Sequence, residues 1–169
     1  MSLNLFFGSI LGLLLGMYAY FAPNYSAQQE KREIPKIELL SFTLYEISHK
    51  GIDNILVGEE AKKFDDRYEV TSGKFGDNTK RLFQSIRSDA ITYKDHLITL
   101  NGNVHYVRQD GLEFRSHEGR YDTKASIAST EGTFVITQDG NRVEGQKLFF
   151  DTHKDTVSAD RIRGSYNLR

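Results

Sequence analysis

Hydrophobic positions follow two different rules on either side of residue 30. From Leu3 to Ala22 nearly every residue is apolar, and at about 1.5 Å of rise per residue a helix of that length spans roughly 30 Å, the hydrocarbon thickness of a bilayer. Tyr18, Tyr20, Phe21 and Tyr25 gather at the far end of this run, as rings at a membrane interface do, and Pro23 stops it. Beyond it the pattern becomes short alternation. Leu100, Val104 and Tyr106 share one parity, as do Phe134 and Ile136, and Ile162, Tyr166 and Leu168, which is the period of half-buried strands. Asp110-Gly111 and Asp139-Gly140 have the composition of hairpin turns. The pattern therefore predicts a transmembrane helix over 1–23, a polar stalk over 24–36 and an all-β domain over 37–169.

The β region repeats itself. Gly58–Phe75 superimposes without a gap on Arg87–Val104 at a shift of 29, placing Phe64 on Tyr93, Asp66 on Asp95 and Gly73 on Gly102. A third copy carries Tyr121-Asp122 and Gly132-x-Phe134, and a fourth carries Phe150-Asp151 and Gly164-x-Tyr166. The ring positions 64, 93, 121 and 150 are separated by 29, 28 and 29 residues. Each unit reads as strand, turn, strand, and such a unit cannot bury its apolar face alone. Stacking four predicts an antiparallel jelly roll or open β-sandwich. The glycine of each unit marks either a bulge, with close strand approach, or a turn; its place between apolar residues of one parity favours the bulge.

Charge sharpens the boundary. All 22 Lys and Arg and all 23 Asp and Glu lie beyond residue 29. A cleaved signal peptide is the alternative to an anchor, but a basic leading segment and a small-x-small cleavage site are both lacking. Gly8, Gly12 and Gly16 recur every four residues, which puts them on one helix face where another helix backbone can approach closely; glycine is also common in membrane helices generally. Lys31 and Arg32 are offset by Glu30 and Glu33, so charge encodes orientation weakly. The absence of cysteine removes disulfides and thiolate metal sites and is silent on compartment.

Catalytic chemistry has no visible carrier. His49, His96, His105, His117 and His153 stand singly among polar neighbours, and none has a second ligand at zinc-site spacing. Adjacent Asp65 and Asp66 would point to opposite faces of a strand and cannot act as an acid–base couple. A net charge of −1 with interleaved signs offers no nucleic-acid footprint. Fourteen of the twenty Phe and Tyr lie beyond residue 40. They fit either a filled sandwich core or two layers parted around an apolar ligand. The residues point to a non-enzyme without metal or cofactor.

The ordered set formed by the apolar anchor, Tyr45 with Lys50-Gly51, Ser88-Asp89-Ala90-Ile91-Thr92-Tyr93, Leu100-Asn101-Gly102-Asn103-Val104, Val143-Glu144-Gly145 and Ile162-Arg163-Gly164-Ser165-Tyr166-Asn167-Leu168 resembles the LptC family. That family is the single-span inner-membrane subunit of the lipopolysaccharide export machine of Gram-negative bacteria. The basic residues usual before its anchor are missing here. The resemblance implies a periplasmic β-jelly roll that takes lipopolysaccharide from an inner-membrane ABC transporter and hands it to an LptA-like periplasmic bridge protein of the same fold. A membrane-tethered assembly protein with a filled core is the rival expectation.

Strand parity turns Phe75, Ile98, Leu100, Val104, Tyr106, Phe114, Ile127, Phe134, Ile136, Leu148, Phe150, Ile162 and Tyr166 inward, and under the resemblance these become the lipid-contacting set. Gly8, Gly12 and Gly16 would pack on transporter helices. Ile162, Arg163, Gly164, Ser165, Tyr166, Asn167 and Leu168 would form an uncovered edge strand that docks the bridge protein by strand addition.

Overall fold

The computed structural model describes residues 33–167. The expected anchor with Gly8, Gly12 and Gly16, most of the stalk, and Leu168 lie outside the described residues. What is described is all-β and antiparallel. The strands are β1 (Ile37–Ser48), β2 (Gly51–Lys63), β3 (Tyr68–Asp77), β4 (Gln84–Lys94), β5 (Leu97–Arg108), β6 (Glu113–Asp122), β7 (Ile127–Ser129), β8 (Thr133–Gln138), β9 (Asn141–Asp151) and β10 (Thr156–Ser165).

They make one open sheet in chain order, with β7 and β8 sharing a single track between β6 and β9. The two layers expected from the repeat are therefore not separate sheets joined by crossovers. They are the two halves of each long strand, with β7 and β8 supplying one half each. A line of backbone irregularities crosses the sheet near mid-strand: Ser41, Ser72, Asn103, Lys147 and Arg161 all have positive φ. Register shifts fall between Arg87 and Ala90, between Asn101 and Val104, and between Ser158 and Arg163. The break between β7 and β8 lies on the same line. A bulge bends its strand and tightens its twist, so bulges in series crease the sheet. On β5 the device is Gly102 at φ +76, where any Cβ would meet the Asp89 carboxylate at 2.5 Å; only glycine combines that angle with that clearance.

Burial follows the crease. Phe42, Leu100, Val104 and Phe134 are buried there, with Ser88 and Thr130 beside them. The Ser88 hydroxyl reaches the carbonyls of Asn101 at 2.8 Å and Ala90 at 3.0 Å, and Ser116 lies 3.1 Å from Thr130 and donates to the Thr133 carbonyl. Backbone groups freed by the bulges are met by side chains, as buried polar groups require.

The repeat has a concrete origin at one end of the sheet. Asp122 accepts the amides of Lys124 and Ala125, and Asp151 accepts those of His153 and Lys154. The following threonines tie neighbouring turns together: Thr123 donates amide and hydroxyl to the His96 carbonyl, and Thr152 does the same to Ser126. Gly73, Gly102 and Gly132 of the repeat lie on the crease, whereas Gly164 pairs with Val143 beyond it. At the other end Asp139-Gly140, both with positive φ, form the two-residue β8–β9 turn, and Gly111, donating to the Arg108 carbonyl, completes the β5–β6 turn.

Candidate functional site

Residues paired across strands project to the same face, so register alone sorts the side chains. On one side of the crease a row runs unbroken from edge to edge: Leu44, Leu56, Phe75, Ile86, Tyr106, Phe114, Ile136, Val143 and Gly164. Every member is apolar, tyrosine or glycine, and none is buried. On the other side a second row reads Ile37, Lys63, Tyr68, Tyr93, Ile98, Tyr121, Ala128, Phe150 and Val157. Between them lie Leu39, Ala61, Val70, Ile91, Leu100 and Gly119, in register, and then the buried crease.

The arms of the creased sheet do not cover each other. Phe75 on β3 is 37% exposed and Tyr93 on β4 is 38% exposed, although both strands are central, while Val104 at the crease is only 2% exposed. A filled sandwich would bury all three alike. The inner face is thus an apolar trough with a packed floor and accessible walls. Nine strand tracks at about 4.8 Å each make it roughly 40 Å long.

The wall that carries the first row is rimmed with polar groups at the strand ends of β3, β4 and β5. The Tyr106 hydroxyl donates to Gln84 at 2.8 Å, and the Gln84 amide donates to Asp77 at 3.0 Å. Burial pushes the Tyr106 phenol above its ordinary range. Burial acts upward on the Asp77 carboxyl too, but hydrogen bonds from the Thr79 hydroxyl and amide and from Gln84 outweigh it and hold Asp77 low. On the opposite wall the Lys63 ammonium lies 5.2 Å from the Tyr68 ring centre, and the Tyr68 and Tyr93 rings are 6.2 Å apart. No group of three or more His, Asp or Glu among the described residues could hold a metal ion.

Of the thirteen positions assigned inward from the sequence, the register places twelve on this face. Phe75, Tyr106, Phe114 and Ile136 stand in the first row, and Ile98 and Phe150 in the second. Leu100, Val104 and Phe134 line the buried floor. Leu148, Ile162 and Tyr166 share the parity of Phe150 and Gly164, and the Tyr166 ring folds over Gly164. Ile127 is the exception. It pairs with Asp122 and Asp151 in the row of Leu97, on the opposite face from Ala128, because the turn containing Ser126 at φ 58 changes the phase before β7 begins. Missed from the sequence were Leu44, Leu56, Ile86 and Val143 of the first row and Tyr68, Tyr93 and Tyr121 of the second.

The terminal strand also differs from its expected span. It starts at Thr156 and ends at Ser165, with Tyr166 and Asn167 following it. It pairs only with β9, as β1 pairs only with β2, so among the described residues both outer strands leave an edge free. Arg163 pairs with Glu144 on the outer face.

No protein-family model and no curated protein matches the chain. Among solved structures it is similar to the crystal structure of LptH, the LptA homologous periplasmic component of the conserved lipopolysaccharide transport device from Pseudomonas aeruginosa. The TM-score is 0.46 at 13% sequence identity, covering 78% of this chain and 94% of that one. The likeness is confined to the fold.

Proposed function

We propose that this protein is an LptC-like lipopolysaccharide-binding and transfer subunit, held at the inner membrane by residues 1–23 with its β domain in the periplasm. It would receive lipid from the transporter's ABC subunits and pass it to an LptA-like bridge protein docked on β10. The observation that carries the reading is the trough: nine register-paired positions, all apolar, tyrosine or glycine, none buried. One acyl chain of a dozen carbons costs on the order of 10 kcal/mol to expose to water, at about 0.8 kcal/mol per CH₂. An accessible apolar wall offsets that cost without enclosing the lipid, and a free terminal strand lets a second sheet extend the wall by backbone pairing. The sequence motifs resembling the LptC family point the same way.

The test is site-specific photo-crosslinking in vesicles that hold the full chain with its transporter. Crosslinkers at Phe75 and Ile136 should label lipopolysaccharide in an ATP-dependent manner, and those at Val57 and Val135 on the outer face should not. Leu100 and Val104 are poor probe sites, since they lie 6% and 2% exposed on the floor. Equal labelling from both faces removes the reading in favour of a tethered assembly protein.

A further inference from the structure

The outer face carries a pattern that the trough does not use. One cross-strand row on β3 to β6 reads Lys74, Arg87, His105 and Arg115, each directly opposite the next. Lys74 and Arg87, like charges directly opposite on neighbouring strands, repel. Glu113 answers two of the four, lying 3.1 Å from His105 Nε2 and 2.9 Å from an Arg115 guanidinium nitrogen. Those contacts are the first and second causes that hold the Glu113 carboxyl low. Lys74 and Arg87 have no carboxylate within 4.0 Å among the described residues. The next acid along β4, Asp89, is engaged by the Asn103 amide at 2.7 Å.

Between these unpaired cations lies a shallow hollow of ≈ 230 Å³, lined by Lys74, Ser85, Arg87, His105 and Val107. A guanidinium fork, a compact ammonium and a hydroxyl around one hollow make the donor set of a tetrahedral oxyanion, which has more acceptor oxygens to satisfy than a carboxylate. We propose that Lys74, Arg87, Ser85 and His105 form a phosphate-binding site on the outer face, taking either a phospholipid headgroup at a bilayer surface or a free phosphate. At least two strands separate it from either sheet edge, and it faces away from the trough. A lipid lying in the trough therefore cannot supply the phosphate from its own headgroup, and the site stands or falls independently of the transport reading.

The test is amine footprinting of the full chain by mass spectrometry, with Lys147 as internal reference. In maltoside micelles at about 0.15 M chloride, millimolar inorganic phosphate should slow acylation of Lys74 about fivefold or more and leave Lys147 unchanged. Arg87→Gln should abolish the protection. In nanodiscs, protection by phosphatidylglycerol but not by an uncharged galactolipid assigns the site to headgroups; protection only when free phosphate is added assigns it to a soluble anion. Either result supports the site. Unchanged Lys74 reactivity in both arms overturns it, as does equal protection of the Arg87→Gln protein. Protection by polyglutamate but not by phosphate also overturns it, in favour of an acidic protein partner. A second readout uses the repulsion itself: in phosphate-free buffer Lys74→Gln should raise the thermal midpoint, and phosphate should raise the midpoint of the unaltered protein but not of the variant. A lowered midpoint in Lys74→Gln removes the electrostatic argument.

Discussion

Gly145→Ala tests the crease where it packs against a buried ring. Gly145 is buried in β9, and a Cβ there would lie 2.6 Å from Phe134 Cζ, 2.8 Å from Phe134 Cε1 and 3.2 Å from the Asp160 carbonyl oxygen. Ordinary carbon contacts begin near 3.5 Å, so the ring must retreat by about 1 Å. It has little room to do so: Phe134 is 2% exposed and stacks on Phe114 at a centroid distance of 6.2 Å. Overpacking of this kind costs about 1–3 kcal/mol, which for a domain of this size lowers the thermal midpoint by roughly 3–12 °C. Thermal unfolding of the full chain in detergent, followed by circular dichroism, measures it. Phe134→Leu alone should destabilise by about 1–2 kcal/mol through lost packing. The double variant should be more stable than the two losses added together, because the smaller side chain removes the clash. A Gly145→Ala protein within about 0.5 kcal/mol of the parent, or strict additivity in the double variant, would refute the tight-crease account.

Two further outcomes are expected. Asp77, Glu113 and Asp151 are all held below their ordinary carboxylate values, Asp151 chiefly by the Lys154 amide; depressed folded-state values make stability constant above the ordinary carboxylate range and progressively lost as pH falls through and below it, so denaturant midpoints that stay flat from pH 6 down to about pH 2 would contradict these assignments. On the proposed transfer role, Ser165→Pro at the end of β10 should abolish capture of the bridge protein while sparing association with the transporter, and undiminished capture in a pull-down would move the docking surface elsewhere.

How far the fold could be read in advance depended on phase. On β5 the inner positions Ile98, Leu100, Val104 and Tyr106 keep one parity across the bulge, so its alternation is plain in the sequence. Most other strands change parity at the crease. On β1 the inner set is Ile37 and Leu39, then Phe42 and Leu44; on β4 it is Ile86 and Ser88, then Ile91 and Tyr93. A one-residue slip exchanges the faces, so a single-phase pattern cancels over such strands and β1, β2 and β4 supplied no residue to the expected inner set. The 28- to 29-residue repeat was legible because its ring positions 64, 93, 121 and 150 sit at strand ends beside turns, and in the last two units turn chemistry reinforces it through Tyr121-Asp122-Thr123 and Phe150-Asp151-Thr152. The phosphate site was illegible. Lys74, Arg87 and His105 are scattered along the chain, and only the pairing of three strands sets them side by side.

The strictly sequential strand order has a kinetic consequence. Apart from the shared β7–β8 track, every strand hydrogen-bonds to its neighbours in the chain, so no pairing waits for a distant segment to arrive. Loop closure is cheap at each step, and topologies of this kind fold fast for their strand content. A hairpin such as β2–β3 has its partners before β4 is made, and each later strand adds to a growing template. The sheet can be laid down in the order of synthesis, and among the described residues the last strand to join is β10, so one of the two open edges exists only once the rest of the sheet is in place.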